Sequence, residues 1–258
     1  EYDKRFLRRK VQPHVYAIVE SNHVDRYAVE YFCNGDIKLK EAMDTIIKEL
    51  YDAKEYGSII TVSQQNWDVL YARFDEIQNE SVMSMYSLAS LELKRMVQVA
   101  ETLAHKYDTV ITNPPYMSNK GMGRKFSEYV QKWYKDGKVD MYAVFILVCM
   151  NLTKRTGFQA MITQHSWMFL SSQKELRNDI YKTEIINMVH LGSRAFEEIG
   201  GEVVQTTAFV LRLKKIMKYK AMFSRLVEYT AQDDKMKAFL SKKNQHCVKV
   251  DNIIEIPN

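Results

Sequence analysis

Four consecutive residues carry the most specific chemistry in the chain: Asn113, Pro114, Pro115 and Tyr116. A proline ring fixes φ near about −65° and removes a backbone donor, so two in a row make a stiff corner. The Asn113 side-chain oxygen and the Pro114 backbone carbonyl are two acceptors. Aimed at the hydrogens of a planar amino group, they favour its pyramidal form and free the nitrogen lone pair. The reaction this suits is transfer of an electrophilic carbon, such as a sulfonium methyl, to that nitrogen. No strong base is required. Tyr116 adds an aromatic face on which a base turned out of its stack can rest.

The corner follows a run of β-branched residues, Thr109, Val110, Ile111 and Thr112, which reads as a buried strand stopped at its C-terminal end. In open α/β sheets that end of a strand is where ligands bind. Residues 117–124 (MSNKGMGR) come next. Gly121 and Gly123 suggest a mobile segment, and Lys120 and Arg124 make it basic, which suits a DNA-backbone contact or a lid. Asp140 is placed to cap a helix over 141–155 that Gly157 ends, followed by a strand over 158–163. His165 and Trp167 then fall on the same rim as Asn113 if the two strands are parallel. His165 reads either as a general base or as a hydrogen-bonded structural imidazole, and the amine chemistry asks for no base.

Further on, Ser171 or Ser172 caps a helix through Tyr181. Residues 185–191 and 203–213 read as strands that pair antiparallel, joined by a loop carrying Phe196. Residues 222–229 read as a strand, 233–240 as a helix and 247–256 as an extended piece. Before the corner the chain is mostly helical. Short strands are expected at 15–19 and 59–62. Helices are expected over 22–32 (closed by Gly35), from Asp36 to Gly57, from Trp67 to Ile77, and over 82–106. In the second of these, Ile37, Met43, Ile46, Ile47, Leu50 and Tyr51 share a face; in the last, Met85, Leu88, Met96, Val97, Ala100 and Leu103 do. The chain therefore divides into a helical part (1–106), a sheet core (107–213) and the start of a C-terminal extension (214–258). Strand–helix alternation from Tyr107 onward gives an α/β fold, mainly parallel with an antiparallel C-terminal strand and helices on both faces.

At 258 residues the chain is long enough for a full hydrophobic core. Its net charge of +5 mildly favours a polyanionic partner. Cys33, Cys149 and Cys247 are too scattered for a disulfide or metal set and read as reduced thiols of a cytoplasmic protein; no metal is expected. The most apolar run, 142–150, is too short to span a bilayer, so no membrane partner is expected.

The Asn-Pro-Pro-Tyr stretch resembles the catalytic motif of amino-group methyltransferases that use S-adenosylmethionine. With residues 12–20 (QPHVYAIVE), 53–62 (AKEYGSIITV), 163–170 (TQHSWMFL) and 190–210 (HLGSRAFEEIGGEVVQTTAFV), most of the chain resembles the large adenine-N6 DNA methyltransferases of the BREX phage-defence type. These are similar to restriction-linked methyltransferases. The resemblance implies a partial Rossmann-like methyltransferase sheet, S-adenosylmethionine as cofactor, and double-stranded DNA as partner. It implies that Asn113, Pro114, Pro115 and Tyr116 act on a flipped adenine, with Phe196 matching a phenylalanine that packs on that base. Phe196 equally reads as an anchor for its own loop.

One element of the family is missing. No strand upstream of Asn113 runs into a Gly-rich turn followed by an acidic ribose ligand, so no cofactor-binding residue is assigned. The chain therefore reads as the catalytic-loop portion of a methyltransferase, without the cofactor half or the target-recognition domain. The strand bearing Asn113 would then have a bare edge, covered by residues 15–19, by a second copy, or by a missing piece of the protein. Two other readings stay open: transfer to a glutamine amide or guanine amine, and an inactive fragment that binds DNA or a partner.

Overall fold

The computed structural model describes residues 13–80, 84–196, 204–242 and 244–250. It divides into two compact units, residues 1–104 and 105–258.

The first unit is helical. Helix α1 (Arg26–Cys33) starts at Asp25, whose carboxylate accepts from the Tyr27 amide at 2.9 Å, and stops at Asn34 in the left-handed region. Asp36 caps α2 (Ile37–Glu49) as expected, accepting from the Lys38 and Leu39 amides. That helix does not run to Gly57. The chain turns at Asp52 (φ 57°), forms a single turn α3 (Ala53–Tyr56), and only this turn is closed by Gly57 at φ 64°. Helices α4 (Trp67–Gln78) and α5 (Met85–Ala104) complete the unit.

Phe32, Met43, Ile46, Leu50, Phe74 and Met96 are wholly buried at its centre, with Phe32 and Phe74 rings 4.5 Å apart. Arg73 Nε donates to the Phe32 carbonyl at 2.8 Å, satisfying an end-of-helix acceptor of α1.

Three expectations fail here. Residues 15–19 and 59–62 form no strand, because a ladder needs a neighbour and among the described residues neither segment has one; Ile59 buries at the end of a 3-10 turn, and Ile60 and Val62 bury as loop. Ile37, the first residue of α2, and Tyr51, two residues past its end, lie exposed, so the apolar face is narrower than the composition suggests. Met85 and Leu88 are likewise exposed on the first turn of α5.

The second unit is a six-stranded sheet of β1 (Tyr107–Thr112), β2 (Thr153–Gln164), β3 (Glu184–Gly192), β4 (Thr206–Arg212), β5 (Ala221–Arg225) and β6 (Gln245–Val248). The spatial order is β1-β2-β4-β3-β5-β6. Strands β1, β2, β3 and β5 run one way; β4 and β6 run against them. Residues beyond 213 thus add two strands to the same sheet. The fold is α/β as expected, with a mixed sheet.

Helices α6 (Arg124–Trp133), α7 (Met141–Leu152) and α8 (Lys174–Tyr181) fall between the first three strands. Tyr142, Ile146 and Cys149 of α7 and Leu176 and Ile180 of α8 pack with Met161, Met188, Phe209 and Leu211. These strand residues alternate with Ala160, Ile162, Ala208 and Val210, which point to the other face. On that face α9 (Gln232–Leu240) stands over Val189, Leu191 and Ala208. Toward β1 the face stays open as a groove of about 400 Å³, and Ile111, the next-to-last residue of β1, is 72% exposed. Among the described residues β1 pairs only with β2, so its outer edge is bare.

Helix α7 ends at Leu152, three residues before its expected end, because Thr153 already pairs with Tyr107 and strand β2 begins there. Gly157 is therefore no helix stop. It sits inside β2 at a bulge where Tyr107 and Thr109 face Thr153 and Phe158. A Cβ there would lie 2.7 Å from the Asp108 carbonyl oxygen and 2.9 Å from Thr153 Cγ2, so only glycine lets the strands close.

Candidate active site

The C-terminal ends of β1, β2 and β3 and the start of β4 lie along one edge of the sheet. The corner predicted to do chemistry is at this edge. Asn113 is exposed and borders the open groove beside Ile111 and Ile162. Pro114 is buried and Pro115 exposed, so the corner is anchored on one proline.

Tyr116 is half-buried. Its ring meets Tyr142 edge-on with centroids 6.4 Å apart, and its hydroxyl lies 3.5 Å from the Ile162 carbonyl. Burial pushes the Tyr116 phenol up to about 12. Part of the ring is thus committed to holding the corner against α7.

The segment after the corner is tethered. Ser118 and Asp140 form an antiparallel bridge, the Met141 amide donates to the Met117 carbonyl at 2.9 Å, and the Asn119 amide donates to Val139 at 3.1 Å. Asp140 caps α7 by accepting from the Tyr142 amide at 3.3 Å, and burial raises its carboxyl above the usual range. Lys120 and Arg124 stand exposed on this segment; Arg124 pairs with Glu128 at 3.2 Å.

At the end of β2, residues His165–Met168 form a 3-10 turn. His165 is on the same rim as Asn113, as parallel strands require. Trp167 is not: it is 1% exposed, its indole N–H donates to Thr163 Oγ1 at 3.2 Å, and its ring packs edge-on against Phe209. The turn puts it into the core. Arg177 from α8 fixes the segment, donating to the Trp167 and Leu170 carbonyls at 2.9 and 2.6 Å.

His165 Nδ1 lies 2.8 Å from Nε2 of His190, near the end of β3, with Phe169 packed against both rings. Burial lowers the His165 pKa. Burial first, then the charges of His165, Arg225 and Lys235, bring His190 down to about 4. One neutral imidazole donates and the other accepts, which suits a structural pair better than a base waiting for a proton.

Phe196 follows Gly192 by four residues and is half-buried. Its loop stem is closed by pairing of Gly192 with Thr206. The end of β3 is three strand spacings, about 14 Å, from the end of β1, with β2 and β4 between them. The residues that sequence reasoning missed are His190, Arg177 and Lys235. His190 and Lys235 act through contacts 25 and 44 residues away in sequence, and Arg177 through carbonyls 7 and 10 residues back that no spacing pattern announces.

A mixed, open α/β sheet in this order, with helices on both faces, is a fold of the S-adenosylmethionine-dependent methyltransferase type. Within that class a family profile, the Eco57I restriction-modification methylase, matches residues 23–196, and the chain belongs to this family. It is 42% identical over 193 residues to the adenine-specific methyltransferase PglX of Lacticaseibacillus casei, covering 73% of this chain and 16% of that protein. It is 41% identical over 179 residues to the adenine-specific methyltransferase BrxX of Escherichia coli, covering 68% of this chain and 15% of that protein. The chain thus spans about a sixth of the length of these relatives. A putative class I S-adenosylmethionine-dependent methyltransferase from Listeria monocytogenes aligns with a TM-score of 0.40 and 12% identity, over 68% of this chain and 60% of that one.

Among the described residues the glycines with positive φ are Gly35, Gly57 and Gly192, and none lies between a strand and the helix that follows it, where a glycine turn would cradle a nucleotide cofactor. Among the described residues no three His, Cys, Asp or Glu side chains converge as a metal set, and no helix is long and apolar enough to cross a membrane.

Proposed function

We infer that this chain is the amine-binding portion of an adenine-N6 DNA methyltransferase that serves restriction or phage defence. The observation that carries the reading is Asn113: an exposed amide at the proline-anchored end of β1, on the lip of a groove, in a chain of the restriction-modification methylase family. The names of the two relatives support adenine as the target. Asn113 and the Pro114 carbonyl accept from the exocyclic amine of a base turned out of the duplex. Tyr116 and Phe196 flank that base. Lys120 and Arg124 hold the DNA backbone nearby. S-adenosylmethionine supplies the methyl group in the complete enzyme, held by residues other than those described here, and the bare edge of β1 is where such a partner piece adds on.

The test is methyl incorporation from labelled S-adenosylmethionine, using a protein of the relatives' length that carries this chain. Label should appear as N6-methyladenine in duplex DNA. Asn113→Ala should lower kcat by about 10²- to 10³-fold, the range for loss of one preorganised polar contact to the reacting centre. Because Asn113 is exposed, its Tm should not move. Label in a protein glutamine or in guanine would replace adenine with those substrates. Duplex DNA bound without any label, by wild type and variant alike, would leave only a binding role.

A further inference from the structure

Lys235 is the least expected residue of the second unit. It is 4% exposed, yet it lies in the first turn and a half of α9, where the helix dipole disfavours a cation. Burying an ammonium is costly unless its donors are used. Two of them are. Lys235 Nζ donates to the Leu191 carbonyl at 2.6 Å and to the Leu226 carbonyl at 3.1 Å. These carbonyls end the parallel strands β3 and β5, beyond the last rungs of their ladder at His190 and Arg225.

What lies next to the first of those carbonyls gives the contact its meaning. Gly192 follows Leu191 at φ +70°, and a Cβ on it would lie 3.0 Å from Val227, so the chain turns sharply against the β5 side. Three residues later, Gln232 Nε2, from the N-terminal residue of α9, donates to the Ala195 carbonyl at 3.4 Å. The next residue is Phe196. At the other foot of the loop, the Gln205 carbonyl accepts from the His165 amide at 3.0 Å. One helix therefore grips the loop at Leu191 and Ala195, and the rim of β2 holds its far foot.

We propose that Lys235, assisted by Gln232, is a positioning residue that makes α9 the bracket setting where Phe196 stands. The inference rests on the reading of Phe196 as the residue that meets the flipped base. It assigns to the C-terminal extension a part in target-base binding rather than a separate structural role.

Hydrogen exchange on the intact chain tests it without reference to turnover. Lys235→Met removes the donors at similar length. Exchange in peptides covering residues 191–196 should rise at least tenfold while Tyr107–Thr112 stays within twofold. Lys235→Arg, which keeps donors for both carbonyls, should restore protection. Gln232→Ala, at a partly exposed position, should give a smaller rise confined to the same peptide, and it carries the test if the methionine variant does not fold. No change in either variant, or an equal rise throughout the sheet, would overturn the proposal. In the complete enzyme Lys235→Met should lower kcat about tenfold with the KM for S-adenosylmethionine unchanged. A wild type that methylates nothing would sink the methyltransferase reading, while the exchange result would still decide the bracket.

Discussion

At the scale of single residues, the site is built from groups whose charge states are fixed by what surrounds them. His190 shows the consequence. Its folded pKa of about 4 lies below the ordinary histidine value of about 6.5, because burial and the charges of His165, Arg225 and Lys235 disfavour the imidazolium. Between those two values the unfolded chain holds the proton more readily than the folded one. The stabilisation is therefore complete above about pH 6.5 and is lost as pH falls toward 4. His165 shifts the same way and adds to it. Going from pH 7.5 to pH 5 should cost about 2 kcal/mol at most through His190, less where water reaches the ring. His190→Gln should flatten this part of the slope, read as urea midpoints at the two pH values. Equal slopes in both proteins would show that the pair is already charged or solvated.

At the scale of elements, the legible parts were those whose signals are local. The strand Tyr107–Thr112 was readable because β-branched residues run directly into two prolines, but it is not the buried strand expected: none of its six residues is buried. Helices starting after Asp36 and Asp140 were readable because an aspartate that accepts its own helix's amides announces a start. Illegible parts depended on partners far along the chain. Residues 15–19 are apolar enough for a strand, but no strand exists without something to pair with. The start of β2 (TKRTG) is polar and glycine-ended, and reads as a helix tail; it is a strand because β1 lies beside it. Much of the site followed the same division. The Asn113 corner could be found by spacing, whereas the His165–His190 contact and the Lys235 bracket exist only once β3, β4 and β5 are side by side. The bulge at Gly157 gives this a direct check. Gly157→Ala drives a methyl group against the Asp108 carbonyl. It should cost about 2 kcal/mol, in the usual range for overpacking, and lower Tm by about 5 °C. An unchanged melting curve would mean that β1 gives way without resistance.

At the scale of the whole molecule, the described helices cover the two faces of the sheet unequally. Buried side chains from α7 and α8 close one face, whereas α9 covers only the β3 end of the opposite face. Ile111 is exposed, and among the described residues no strand pairs with the outer edge of β1. A bare, apolar edge invites another strand. The purified chain should self-associate with rising concentration, and Ile111→Lys should suppress that association in light scattering while shifting Tm by no more than about 1 °C, since an exposed side chain contributes little. Equal scattering from both proteins would show that this edge is not the surface involved.

The order of the strands has a consequence for how the chain is made. β4 lies between β2 and β3, although it is synthesised after both. A polypeptide leaving the ribosome carries the Asn113 corner complete by residue 116, but its second and third strands have nothing to join them until Arg212 has emerged. Only then do the two imidazoles meet, and only after Leu240 can Lys235 take hold of the loop foot. A nascent chain halted between those points would display the asparagine before the carbonyl of Leu191 is held.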